Sequence, residues 1–124
     1  MSGLTMEQMV AAARSRIREI SVEELRAGVE DDAVIIDVRE PEEHASGCIP
    51  GSTNIPRGVI ESEIDPRPEM GGVIAPALQD RNRPIYLYCR SGGRSALAAD
   101  TLQKMGFTRV ASVAGGMLAW NSAR

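Results

Sequence analysis

The chain has 124 residues, of which 43% are hydrophobic and 25% charged, and its formal net charge is -3. This length is enough for one domain with a buried core, and the acidic balance does not favour nucleic acid as a partner. No apolar stretch approaches the roughly 20 residues of a membrane span, and the N-terminus lacks the charge order of a signal peptide, so we expect a cytoplasmic protein with no membrane partner.

Two short helices with a strand between them are predicted at the start of the chain. Thr5 with Gln8, and Ser21 with Glu24, fit the capping-box pattern in which side chains close the start of a helix. Apolar residues follow each box at helical spacing. The stretch RIREI, which lies between the two helices, is expected to form a strand.

Further along, two apolar runs predict strands that are buried on both faces. These runs are AVIIDV (33–38) and IYLYC (85–89). STNIP and RVASVAGG predict two more strands, and PEEHASG predicts a helical turn with Pro41 at its first position. From Arg94, apolar residues at helical spacing predict a helix that ends near Gly106, and MLAW predicts a last helical turn.

Alternation of helices and strands predicts an α/β fold with a mainly parallel sheet. We expect a single domain over residues 1–124, in which residues 1–16 form a helical extension. Residues 57–84 are the least regular part, because prolines and glycines interrupt them. Ligand sites of such sheets lie beyond the carboxyl ends of the strands. Two strand ends here carry reactive side chains, in the stretches DVR and CR.

The stretch YLYCRSGGRSA places Cys89 where a strand turns into a helix. Gly92 and Gly93 permit positive φ angles, so that the following amides can curl toward the sulfur. The helix directs its positive end into the same space, and the two arginines of the loop add charge. These features favour the thiolate and predict a pKa of roughly 3.5 to 7.5 for Cys89, below the usual value of about 8.5.

Two less reactive roles are also open to this stretch. A cysteine at a strand end is often only a small buried apolar residue. A glycine-rich turn can also bind phosphate without using the sulfur, but the lysine of the P-loop pattern is absent. The paired glycines and the flanking arginines favour the nucleophile. With two cysteines, no CxxC pair and one histidine, we expect no disulfide framework, metal or other cofactor.

Three segments together resemble the rhodanese-like sulfurtransferases. DVREPEEHASGCIPGSTNIP resembles the family's first signature, YCRSGGRSALAADTLQKMGF its active-site loop and helix, and VASVAGGMLAW its closing G-G-x-x-x-W. The likeness begins at IREISVEEL and covers nearly the whole chain. It implies the rhodanese-like fold, with a mainly parallel five-stranded sheet and helices on both faces.

The resemblance also implies a mechanism. Cys89, the catalytic residue, attacks the outer sulfur of a small donor such as thiosulfate and becomes a persulfide. A thiol, cyanide or a protein sulfur acceptor then removes that sulfur. The loop amides stabilise the sulfur anion, and the loop arginines bind the anionic donor. The substrate-binding residues implied are Arg90, Ser91, Gly92, Gly93, Arg94 and Ser95.

Loop length separates this activity from its nearest alternative. Cysteine-dependent phosphatases carry C-x5-R, whereas Cys89 and Arg94 form C-x4-R. A tighter ring suits one sulfur atom and crowds a tetrahedral oxyanion, so sulfur transfer is favoured over phosphatase or arsenate-reductase chemistry. A non-enzymatic sulfur-relay or binding module is the third hypothesis, because a relay also needs the cysteine.

Two positions depart from the family pattern. Cys48 replaces a histidine of the G-H-I-P-G segment, and we interpret it as a filler of the core, with a resolving thiol as the alternative. His44 stands where the family often has an aromatic residue, and we interpret it as structural, with a catalytic base as the alternative.

Three further residues near the strand ends are candidates for the site. Asp37 is expected to organise a turn, and Arg39 to pair with a carboxylate such as Glu42 or Glu43. The alternative is that Arg39 lies at the rim of the pocket. Arg57 is the second candidate for the rim, where it would contact an anionic donor.

Overall fold

A computed structural model describes residues 3–65 and 75–123, so that part of the irregular segment predicted at 57–84 lies outside the described residues. The helices are α1 Met6–Arg14, α2 Val22–Ala27, α3 Pro41–Ser46, α4 Ile60–Ile64, α5 Gly93–Lys104 and α6 Gly116–Ser122. The strands are β1 Arg18–Ile20, β2 Val34–Asp37, β3 Thr53–Asn54, β4 Ile85–Tyr88 and β5 Val110–Val113. Short 3-10 turns occupy Arg57–Val59 and Pro76–Leu78.

The strands form one parallel sheet in the order β1-β5-β4-β2-β3. The central strand β4 pairs with β2 in a register that sets Tyr88 opposite Asp37. Since all strands run in one direction, the residues that follow β2 and β4 emerge side by side at the same edge of the sheet. The predicted α/β fold with a parallel five-stranded sheet is confirmed.

Alternation along β4 gives the sheet a hydrophobic core on each face. Ile85 and Leu87 face the core that contains residues of α4 and α5. Tyr86 and Tyr88 face the core that contains residues of α2 and α6. All four residues of β4 are buried, as predicted for a strand covered on both sides. Helices therefore lie on both faces of the sheet.

Both predicted capping boxes are present. Thr5 Oγ1 accepts a hydrogen bond from the Gln8 amide at 3.1 Å, and Gln8 Oε1 accepts one from the Thr5 amide at 2.8 Å. Ser21 and Glu24 exchange the same two bonds, each 3.0 Å long. Loss of such a cap costs about 1 kcal/mol, so local sequence alone determines where α1 and α2 begin.

The N-terminal helix α1 is seated on α5, the helix that follows the Cys89 loop. Val10 and Ala13 of α1 pack with Ala96 of α5 in a small buried cluster. Just after α1, the Arg16 guanidinium binds both oxygens of Asp100 on α5, at 2.9 and 2.7 Å. The extension predicted at the N-terminus thus lies against the element that positions the site. In the described ranges, no helix is long and apolar enough to cross a membrane.

Candidate active site

Cys89 directly follows β4, and its side chain is buried within the turn that leads into α5. Only 1% of the residue is exposed. The amide N–H of Gly92 donates to Sγ at 3.0 Å, and the hydroxyl oxygen of Ser95 lies 3.6 Å from Sγ. The backbone therefore curls toward the sulfur, as the loop pattern predicts.

One of the two loop glycines has the backbone conformation that only glycine adopts readily. Gly92 has φ +110° and caps the start of α5. Gly93 is already the first residue of α5 and lacks a positive φ, so only Gly92 uses the conformational freedom that the sequence permits at both positions. A Cβ on Gly93 would lie 3.7 Å from Met6 Cε and from Val10 Cγ2, an ordinary contact with α1.

Two opposing effects act on the pKa of the Cys89 thiol. Burial raises the pKa of Cys89, because a charge is poorly solvated inside the protein. The amide and hydroxyl of Ser95 and the amides of Gly92 and Ser91 stabilise the thiolate and lower that pKa. The hydrogen bonds outweigh burial, so the pKa lies below its ordinary value. This agrees in direction with the loop-based prediction.

Ser112 of β5 contacts Ser95, which follows the loop. It is not among the residues predicted for the site. Its hydroxyl lies 2.8 Å from the Ser95 hydroxyl, which also donates to the Gly92 carbonyl at 3.2 Å. Both serines are fully buried. A serine in the middle of the buried strand VASV is the signal that points to it, because buried hydroxyls need hydrogen-bonding partners. The pair fixes the Ser95 hydroxyl beside Sγ.

The start of α6 is hydrogen-bonded to the backbone of the Cys89 loop. The amides of Met117 and Leu118 donate to the carbonyls of Cys89 and Arg90, at 2.8 and 3.1 Å. Gly116 has φ +54°, and a Cβ on it would collide with the Cys89 carbonyl oxygen. The close approach of the two backbones is the physical reason for glycine at position 116.

The two loop arginines differ in how their charges are used. Arg90 is exposed and makes no ion pair with another described residue. Arg94 binds both carboxylate oxygens of Glu43 on α3, at 2.9 and 3.1 Å. This pairing with Arg94 lowers the pKa of Glu43 to about 2. The pKa of Arg94 is raised, first by Glu43 and to a lesser extent by the nearby Cys89. In this structure the Arg94 guanidinium is thus paired with Glu43, and its binding of the donor stays a prediction.

Neither rim candidate extends into the loop. Arg39 is only 7% exposed and binds Asp37, with Nη2 at 2.8 Å from Oδ2. The predicted partners Glu42 and Glu43 are wrong for Arg39, because Asp37 meets it as a buried, bidentate carboxylate two residues away. Arg57 binds Glu61 at 3.0 Å and the Thr101 hydroxyl at 3.1 Å, on the outer part of α5.

Asp37 organises a closed polar cluster next to the Cys89 loop. Its Oδ1 accepts from the Arg39 amide at 2.9 Å, which is the turn predicted from sequence. His44 Nδ1 lies 2.9 Å from Oδ2, and the Tyr88 hydroxyl donates to Oδ2 at 3.1 Å. Burial raises the pKa of Asp37, but the bonds from Arg39 and His44 outweigh it and hold that pKa below its usual range. The structural interpretation of His44 fits these contacts.

The second cysteine takes no part in the geometry around Sγ. Cys48 is a free thiol like Cys89, but it is only half-buried and belongs to none of the hydrophobic clusters, so its interpretation as a filler of the core is wrong. Across the part of the chain that the structure describes, no group of histidine, cysteine, aspartate and glutamate side chains is placed to hold a metal ion. The arrangement at Cys89 thus provides a buried thiol with backbone donors around it.

Comparison with known proteins gives one consistent family. The family model described as Rhodanese-like domain matches residues 21–123. YrkF of Bacillus subtilis, named as a candidate sulfur carrier protein, is 39% identical over 108 residues, which are 86% of this chain and 52% of YrkF. The chain thus spans about half the length of that relative. A sulfurtransferase of Allochromatium vinosum is 32% identical over 106 residues, 84% of this chain and 88% of that protein.

Two solved structures show the same fold. RPA3614 of Rhodopseudomonas palustris, described as a protein of unknown function and "possible tyrosine phosphatase", superposes with a TM-score of 0.81. It is 34% identical, and the match covers 99% of this chain and 93% of RPA3614. The human single-domain sulfurtransferase TSTD1 has a TM-score of 0.72 at 26% identity, with 86% of this chain and 96% of TSTD1 covered.

Proposed function

This chain belongs to the rhodanese-like domain family, and we propose that it is a sulfurtransferase in which Cys89 carries the sulfur as a persulfide. The observation that carries the proposal is the hydrogen bond that the Gly92 amide donates to Sγ at 3.0 Å, with the Ser95 hydroxyl oxygen 3.6 Å from the same sulfur. Donors that point at the sulfur favour the thiolate, which is the nucleophilic form. The lowered pKa of Cys89 reduces the need for a separate general base.

In the first half-reaction, the Cys89 thiolate attacks the outer sulfur of an anionic donor such as thiosulfate. A bond forms between Sγ and that sulfur, the S–S bond of thiosulfate breaks, and sulfite leaves with the electron pair. The burial of Cys89 favours a donor with a single protruding sulfur atom over a bulky one. The outer sulfur of the persulfide is an anion, and backbone donors around it are worth far more there than in water.

In the second half-reaction, cyanide or a thiol attacks the outer sulfur. The bond between that sulfur and Sγ breaks, and Cys89 leaves as the thiolate, ready for another donor. The products are thiocyanate or a persulfide of the acceptor. The likeness to YrkF supports a protein thiol as one class of acceptor. In that case the chain is a sulfur relay that turns over slowly with cyanide.

A phosphatase is the second candidate, since the description of RPA3614 names that activity. Two observations weigh against it in this chain. The loop from Cys89 to Arg94 is one residue shorter than the C-x5-R loop of cysteine-dependent phosphatases. In addition, Glu43 occupies the Arg94 guanidinium, which a phosphate would otherwise bind. Sulfur transfer therefore remains the better-supported activity.

The proposal is tested by the intact mass of the protein after incubation with thiosulfate. We expect a gain of one sulfur atom, which cyanide removes with formation of thiocyanate. Cys89→Ser should take up no sulfur, whereas the matched variant Cys48→Ala should behave as the wild type. Hydrolysis of a small aryl phosphate, measured in the same preparations, is expected to be negligible.

Each outcome separates the candidates. A sulfur adduct on Cys89 together with thiocyanate formation supports the enzyme. An adduct that passes to a protein thiol but not to cyanide supports the relay. Robust hydrolysis of the aryl phosphate without any sulfur adduct would favour the phosphatase and overturn the proposal.

A further inference from the structure

The helix α1 forms one wall of a cavity that borders the Cys89 loop. It packs along α5, and its side chains Met6 and Val10 lie against Gly93, the first residue of α5. Between the helix and the loop is an open cavity of about 450 Å³. Its lining includes Arg14 of α1 and Ser91 of the loop. The N-terminal extension therefore borders the same loop that holds Cys89.

Arg14, in the last turn of α1, brings a positive charge close to Gly92 of the Cys89 loop. A Cβ built on Gly92 would lie 3.1 Å from Arg14 Nη2. The amide of the same Gly92 donates to Cys89 Sγ at 3.0 Å. The guanidinium is thus held against the very residue whose backbone binds the sulfur, although the two are far apart in the chain.

Three other arginines around the site are already engaged by carboxylates, whereas Arg90 of the loop is exposed and makes no ion pair with another described residue. Arg39 binds Asp37 at 2.8 Å, Arg94 binds Glu43 at 2.9 Å, and Arg57 binds Glu61 at 3.0 Å. The contact of Arg14 with Glu19 is longer, at 3.5 Å, and the Arg14 side chain is 44% exposed. A weak, exposed ion pair holds its partner only loosely, so Arg14 can bind a second anion.

We propose that Arg14 is a donor-binding residue, which holds the anionic group of the sulfur donor while Cys89 attacks the outer sulfur. This inference rests on the proposed sulfur transfer. With thiosulfate, Arg14 binds the sulfonate end, and that end leaves as sulfite with the electron pair of the broken S–S bond. The N-terminal helix, which lies ahead of the family match at residues 21–123, thereby completes the site.

Glu7 lines the same cavity and limits where an anion can bind. It lies on the face of α1 that also carries Arg14, but seven residues earlier, which is about two helical turns away. The anion-binding end of the cavity is therefore the end formed by Arg14 and Ser91. The donor has to be small, because Glu7 repels an anion that extends along the whole cavity.

Thiosulfate kinetics of Arg14→Gln test the proposal. Removal of one charge-assisted hydrogen bond at a partly exposed site predicts an increase of about tenfold in the KM for thiosulfate, with little change in kcat. Arg14→Lys, which keeps the charge, should restore part of the affinity. The matched control Arg18→Gln removes the same charge from an exposed position at the start of β1, at the opposite edge of the sheet, and should leave KM unchanged.

A second measurement does not depend on turnover. Iodoacetate and iodoacetamide alkylate Cys89 through the same carbon, and they differ in that only iodoacetate is charged. In a Cys48→Ala background, Arg14→Gln should lower the ratio of the iodoacetate rate to the iodoacetamide rate by about threefold or more. Arg18→Gln should not change the ratio.

The two measurements distinguish failure of this inference from failure of the proposed function. Unchanged thiosulfate KM and an unchanged alkylation ratio in Arg14→Gln overturn the role of Arg14, even if sulfur transfer is active. If the wild type does not turn over thiosulfate but the ratio falls in Arg14→Gln, the anion site at Arg14 is supported and thiosulfate is the wrong donor.

Discussion

Two adjacent strand ends of this molecule carry reactive side chains that are buried to the same degree but differ in their partners. Asp37 ends β2, and Cys89 follows β4, the strand beside it. Asp37 is 0% exposed and Cys89 is 1% exposed. Burial alone therefore does not tell a structural group from a reactive one.

The difference lies in the charge of the groups that surround each side chain. Asp37 faces the guanidinium of Arg39 at 2.8 Å, with His44 and the Tyr88 hydroxyl on the same carboxylate. Cys89 faces uncharged donors, of which the Gly92 amide is the nearest. A carboxylate neutralised by a buried cation has no capacity left for a ligand. A thiolate held by amides keeps its charge and its lone pairs for attack.

The largest effect is expected from breaking the Asp37 cluster. In Asp37→Asn, the buried Arg39 loses its counter-charge, and removal of one partner from a buried ion pair costs about 3–5 kcal/mol. Urea denaturation at neutral pH should show that loss in the free energy of unfolding. Asp32→Asn, at an exposed position, is the control and should change little.

The pH dependence of that stability has a definite sign. Because its pKa is lowered in the folded protein, Asp37 stabilises the fold above its ordinary pKa and loses this contribution as the pH falls through the lowered value. Asp37→Asn should therefore flatten this part of the acid limb. Loss of sulfur transfer in Asp37→Asn with unchanged stability would contradict the structural assignment.

The second largest effect is expected from moving the Cys89 loop without touching its donors. Gly116→Ala places a Cβ against the Cys89 carbonyl, so the loop or α6 has to shift. A displacement of about 1 Å predicts a fall of about a hundredfold in kcat/KM. Gly58→Ala is the matched control, since no atom lies within 4 Å of a Cβ there. Equal activity of the two variants would show that the loop does not depend on α6 for its position.

A smaller effect is expected from removing a single donor beside Sγ. The rate of Cys89 alkylation by iodoacetamide, followed against pH in Cys48→Ala, should inflect at lower pH in the native protein than in urea. Ser95→Ala removes the hydroxyl but keeps the amide, so it should move the inflection partway to higher pH. Ser91→Ala keeps its amide and should not move it. Identical inflections in native and unfolded protein are incompatible with an activated thiol.

The smallest effect is expected at the ion pair between Glu43 and Arg94. Glu43→Gln frees the Arg94 guanidinium near Cys89, so the KM for thiosulfate should fall by a few-fold, while Glu42→Gln should not change it. The pair is partly exposed and contributes at most about 1 kcal/mol to stability. With a pKa of about 2 for Glu43 against an ordinary 4.5, that contribution is present above pH 4.5 and disappears toward pH 2. An increased KM would show that the pair itself positions the donor.

The elements predicted correctly are those that neighbouring residues determine. Thr5 and Ser21 cap helices because their partners lie three residues away. The four residues of β4 are buried on both faces of the sheet, because a continuous apolar run has no polar face that could be exposed to solvent. The donors around Cys89 follow from a strand, a short turn with Gly92 and a helix, which are contiguous in the chain.

The partners of the arginines are what local sequence does not determine. For Arg39 and for Arg94, the sequence offers several carboxylates as possible partners. In the fold, Arg39 binds Asp37, and Arg94 binds Glu43, which is 51 positions away in the chain. Asp37 lies only two residues before Arg39, whereas the pairing of Arg94 with Glu43 depends on how the fold places α3 beside the start of α5. No local pattern records that distance.

Sequence by itself determined the fold class, the conformation of the loop around Cys89 and the direction in which the pKa of Cys89 shifts. Each of these depends on backbone geometry that is set by residues close together in the chain. Tertiary structure alone decided which charges remain open to a ligand. It placed Arg14 of the N-terminal helix against Gly92, and it set Ser112 beneath Ser95. Those contacts arise because α1 and β5 pack against α5 from different sides, and packing between distant segments is fixed only when the whole core forms.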